Sequence, residues 1–74
     1  MKITYDPEAD ALYIEVHSGE IDDSLDIEDG VTADLDKEGH LLGLEILDAS
    51  KRMTKEELTS VSYENLLLAA SAVP

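Results

Sequence analysis

The sequence predicts an α+β fold: a small antiparallel β-meander of about five to six strands, with one short C-terminal helix packed on it. Three observations carry this expectation. Apolar and polar residues alternate through most of residues 1–48, which is the period-two signature of strands with one buried face. Gly, Pro and Asp recur between the alternating runs, where tight turns need them. A helix-starting pattern follows only after residue 53.

The first strand is read from Ile3 and Tyr5, which alternate with Lys2 and Thr4. Asp6-Pro7-Glu8-Ala9 is a turn, in which Asp accepts from backbone N–H groups ahead of it and Pro presets φ. Leu12, Ile14 and Val16 form one face of a second strand, with Tyr13, Glu15 and His17 on the other, and Gly19 ends it. The acidic segment Glu20–Asp29 carries Leu25 and Ile27 at strand spacing until Gly30 breaks it. The clearest hairpin joins Val31–Leu35 to His40–Leu47 through Asp36-Lys37-Glu38-Gly39, with Gly39 at the left-handed position of a type I turn.

The expected register of that hairpin sets Leu35 opposite His40, Ala33 opposite Leu42 and Val31 opposite Leu44, so that apolar residues share a face. The last strand reads as apolar on both faces: Leu42, Leu44 and Ile46 on one, Leu41 and Leu47 on the other. Such a strand needs a helix over one side and a subunit partner over the other. Beyond Asp48, Thr54-Lys55-Glu56-Glu57 fits a capping box. The expectation there is a short helix near 54–60 and a sixth strand near 61–66, where Val61 and Tyr63 alternate. A longer helix reaching Ala70 is the competing reading, and Ala69–Pro74 is expected to fray.

At 74 residues the chain is one small domain, 1–74, with an acidic strand-rich part at 1–48 and a helix and variable tail at 49–74. Leu, Ile and Val make up 20 of the 74 residues, above the roughly 20% at which a highly charged chain defaults to disorder. The absence of Cys rules out disulfides, thiol nucleophiles and zinc ribbons. The net charge of −13 argues against nucleic acid as a partner. Without an apolar run of about 18 residues or a signal peptide, the expected location is cytoplasmic, with no membrane partner. The charge is unevenly placed: residues 1–48 hold 15 of the 18 acids and two lysines, whereas 49–74 are neutral.

Candidate chemistry is sparse. Asp34, Asp36, Glu38, Gly39 and Glu45 come within one residue of the calcium-loop pattern. Their strand-like flanks, where that loop needs helices, favour the plain hairpin. His17 and His40, the two imidazoles, have no metal-ligand spacing and read as surface residues. The serines lie in no nucleophile setting, and no Gly-rich loop is present to hold phosphate. No catalytic residue, cofactor or metal is expected, and Asp34, Asp36, Glu38 and Glu45 are the candidates should a metal bind. Lys51 and Arg52 are read as folding back onto the acidic sheet rather than as a contact patch.

Several stretches together resemble a known family. They are Tyr5-Asp6-Pro7-Glu8-Ala9-Asp10-Ala11-Leu12-Tyr13-Ile14, Gly30-Val31, Asp34-Leu35-Asp36 with Gly39, and Gly43-Leu44-Glu45-Ile46-Leu47-Asp48-Ala49-Ser50-Lys51. Over residues 1–52 the chain resembles the prokaryotic family called domain of unknown function 2283. The resemblance implies a compact β-rich domain and brings no catalytic residue. Because members are associated with small RelE-like toxins, it also implies an antitoxin-like role.

Two functional expectations follow. The first is an acidic protein-interaction module that self-associates, most simply as a dimer, and binds or neutralises a basic protein partner. Leu41, Leu47, Glu20, Asp22 and Asp23 are its contact candidates. The alternative is a small carboxylate-rich metal-binding or hydrolytic protein that uses the Asp34–Glu45 carboxylates together with His17.

Overall fold

The computed structural model describes residues 1–67. Five strands, β1 (Lys2–Asp6), β2 (Ala11–Glu15), β3 (Asp23–Glu28), β4 (Val31–Leu35) and β5 (Leu41–Ile46), precede two short helices, α1 (Ala49–Arg52) and α2 (Lys55–Thr59). The strands form one antiparallel sheet in the order β1-β2-β5-β4-β3. None of the helices is long and apolar enough to cross a membrane, among the described residues.

A strictly sequential meander would seat β3 beside β2, but β5 occupies that place. The crossing is visible in the backbone. Val16 and His17 both donate to the Leu42 carbonyl (2.8 and 3.0 Å), so the exit of β2 stays hooked to β5. Asp22 then donates to Leu35 (2.9 Å) and starts β3 outside β4. Composition explains the choice. β3 reads DSLDIE and is exposed throughout. At the sheet edge its carboxylates stay in water and discourage edge-to-edge pairing, whereas a central position would bury them.

The β4–β5 hairpin forms in a register different from the expected one. Asp36 donates to the His40 carbonyl and Gly39 (φ 83°) donates back to Asp36, both at 2.9 Å, so Asp36 and His40 close the turn. An irregularity follows, with Leu35 opposite Leu41 but Asp34 opposite Gly43. Ala33 therefore faces Leu44, and Val31 faces Ile46. The turn moves the pairing by one residue and the bulge by another. Two single shifts preserve parity, so the apolar side chains still share one face. The bulge also revises the reading of a doubly apolar strand: Leu41, opposite Leu35, joins the same side as Ala33 and Leu44.

The C-terminal part carries two differences from expectation. Residues 48–52 contain an extra helical turn, α1, which is capped from across the chain. The Asp10 carbonyl accepts from the Ala49 N–H (3.0 Å), and its carboxylate accepts from the Ser50 N–H (3.0 Å) and hydroxyl (2.6 Å). Second, the sixth strand near 61–66 does not form, because residues 61–65 have no regular structure and Leu66 and Leu67 are helical. A Val-Ser-Tyr alternation states a preference, but a strand also needs a neighbour to pair with. The capping box is present as read: Glu57 N–H donates to the Thr54 hydroxyl (3.2 Å) and Thr54 N–H to the Glu57 carboxylate (2.8 Å). The expected fraying of Ala69–Pro74 lies outside the described residues, as does the end of the longer helix reaching Ala70.

Packing is thin. Only Ala33, Leu42 and Ala49 are buried to 5% exposure or less, among the described residues. The molecule is a slab of 46 × 36 × 19 Å.

Candidate interaction surfaces

The alternation of the strands sorts side chains onto two faces of the sheet. On the polar face, Tyr13 lies across Gly43 and donates to Asp34 (2.9 Å), and Ser24 donates to the other oxygen of the same carboxylate (2.8 Å). Thr32 donates to Asp26 beside them (3.2 Å). Gly43 is required here, since a β-carbon at this position would overlap the Tyr13 ring and hydroxyl and crowd the Ile14 carbonyl. The Tyr13 hydroxyl is pushed above its ordinary pKa of 10.0, first by burial and then by its hydrogen bond to the Asp34 carboxylate. This network spans β2, β5, β4 and β3, and it anchors the edge strand to the middle of the sheet.

The apolar face has two unequal halves. Over β1 and β2, Met53 and Leu58 lie above Ile3, Tyr5, Leu12 and Ile14, with a cleft of about 370 Å³ between. Over β4 the face is largely closed, with Ala33 only 5% exposed, but at the β3 edge the cover runs out, and Leu25 and Ile27 are 59% and 57% exposed.

The acidic contact candidates divide. Glu20 and Asp22 line one cleft of about 380 Å³ together with Gly19, Asp36, Lys37 and Glu38. Asp23 stands at the start of β3, opposite Leu35. Leu41 and Leu47 are 39% and 42% exposed and sit at opposite ends of β5, so they do not make one patch. The remaining cation-rich motif folds inward. Arg52 donates to Glu28 (3.0 Å), to the Leu47 carbonyl (2.9 Å) and to the Asp29 carbonyl. It packs against Gly30 (φ 84°), where a side chain would strike the guanidinium.

The calcium-loop candidates are dispersed. Asp34 is engaged by Tyr13 and Ser24. Asp36 accepts from the Glu38 and His40 N–H groups (2.9 Å each) inside the turn. These backbone donors, that of His40 foremost, hold its carboxyl below the ordinary range, with smaller attractions from His40 and His17. Glu45 stands on the polar face between Tyr13 and Thr32. Among the described residues, no group of three or more His, Asp or Glu side chains is gathered so as to hold a metal ion. His40 lies 3.9 Å from both Asp36 and Glu38 and is 74% exposed.

Sequence reasoning missed the Tyr13–Gly43–Asp34–Ser24 network and the Asp10 cap, which involve residues far apart in the chain. A Gly inside an otherwise aliphatic strand was the one available signal for the former.

Neither the comparison with curated proteins nor that with solved structures gives a match. The family described as "Protein of unknown function (DUF2283)" matches residues 2–50, the segment that holds the whole sheet and the start of α1. The chain belongs to this family.

Proposed function

We propose that this chain is a small acidic protein-interaction module that self-associates through its apolar sheet face and presents its carboxylates to a basic protein partner, in an antitoxin-like role. The observation that carries the reading is the uncovered β3 edge of the apolar face, with Leu25 and Ile27 more than half exposed, in a chain with three buried residues among those described. A fold with so little internal burial has a small hydrophobic contribution to stability, and a second copy supplies the missing burial. The cleft of Glu20, Asp22, Asp36 and Glu38, which Lys37 also lines, is formed by the β2–β3 loop and the β4–β5 turn, beyond the strand ends. Its charge suits a basic protein, with attraction that weakens as salt rises.

Thermal unfolding of the purified chain across a hundred-fold dilution series tests the self-association. Coupled folding and dimerisation moves the midpoint upward with concentration. A midpoint independent of concentration contradicts it. Capture of a basic protein from the source cell, reduced by added salt, tests the second half; salt-insensitive capture or none contradicts it.

A further inference from the structure

We propose that the self-association is reciprocal: residues 61–67 of each chain lie on the β3 edge of the apolar face of the other. This rests on the self-association reading and names the segment that carries it. Two apolar surfaces of this one chain lack cover. The first is the β3 side of the sheet face, with Leu25 and Ile27 more than half exposed. The second is the segment beyond α2, where Val61, Tyr63, Leu66 and Leu67 are 66%, 77%, 70% and 80% exposed.

Within one chain these surfaces stand apart. Val61 and Tyr63 lie beside Met1 and Ile3, at the β1 edge. β3 is the opposite edge of the five-stranded order, roughly 19 Å away at the usual strand spacing. Exchange between two chains about a twofold axis lets each surface cover the other, with both contacts made twice.

Charge selects this occupant over a second sheet. Residues 1–48 carry the entire net charge of −13, whereas 49–74 are neutral. Stacking two open β3 edges directly brings Asp23, Asp26 and Glu28 of one chain near those of the other. The segment 61–67 holds a single acid, Glu64, so it is the apolar part of a second copy that approaches with the least repulsion.

The absence of Cys makes the test clean. Full-length chains with one substitution each, Leu25→Cys or Ile27→Cys in one set and Tyr63→Cys or Leu66→Cys in the other, are mixed and oxidised. Disulfides joining a face-labelled chain to a tail-labelled chain are expected to dominate. The cysteine-free Leu66→Ser, Leu67→Ser double variant is expected to scatter light as a single chain at a concentration where the parent is a dimer. Disulfides mainly between two face-labelled chains, with the double variant still dimeric, would overturn the exchange but leave self-association standing. A parent chain that scatters as one 8.1 kDa unit overturns self-association itself.

Discussion

The two faces of the sheet are made by the same five strands, yet one is finished by the chain and the other is not. On the polar face Asp34 satisfies Tyr13 and Ser24, Asp26 satisfies Thr32, and Tyr13 occupies the space that Gly43 leaves. On the apolar face the helices reach β1 and β2, and the β3 edge stays open. The difference shows how a short chain divides its means. Hydrogen bonds close a surface with few residues, whereas covering an apolar face takes a second layer that this chain supplies only in part.

Neighbouring positions on opposite faces separate the two behaviours. Gly43→Val is expected to have the largest effect, a loss of about 3 kcal/mol, as new atoms meet the Tyr13 ring and a backbone carbonyl that cannot move aside. Urea unfolding would show that loss at every protein concentration. Leu25→Lys, on the open face, is expected to act through association: the concentration dependence of the melting midpoint disappears, while the dilute protein melts as the parent does. A loss in the dilute protein as large as that of Gly43→Val would erase the distinction between the faces.

Tyr13→Phe removes the bond to Asp34 and is expected to lower stability by about 1 kcal/mol near neutral pH. It also has a pH signature. The folded hydroxyl is held above 10.0, so its contribution is complete below the unfolded value and is lost as pH rises through the folded one. Unfolding midpoints measured from pH 8 to 11 are expected to fall less steeply in the variant than in the parent.

The smallest effect belongs to Asp10→Asn. Hydrogen bonds from Ser50, foremost, and from Tyr5 hold the Asp10 carboxyl below its ordinary 3.8. A lowered folded value contributes stability above the unfolded pKa and loses it as pH falls through the folded one. Below about pH 4 the variant is therefore expected to show a shallower acid limb in a pH titration of the melting midpoint. An unchanged acid limb would show that the cap on α1 does not depend on this charge.

The strands were legible because their alternation is local, and so were Gly39, the capping box and the family resemblance. The hairpin register was not. Hydrophobic alternation fixes the parity of pairing but does not fix the pairing itself, so the turn closed by Asp36 and His40 and the bulge at Leu41 left no trace in the pattern. The β2–β5 pairing joins residues about thirty positions apart, which periodicity does not reach. The sixth strand is absent for the opposite reason: Val61 and Tyr63 have strand preference but form no ladder. Among the contact candidates, Glu20 and Asp22 meet in one cleft, whereas Leu41 and Leu47 are separated by the length of β5. The partly covered apolar face emerged only once the helices were placed.

Sedimentation equilibrium of the intact chain at micromolar concentration in physiological salt tests the central claim most directly. An open apolar face completed by a second copy predicts a mass twice the 8.1 kDa of one chain, dissociating on dilution. A mass of one chain at every concentration would contradict it.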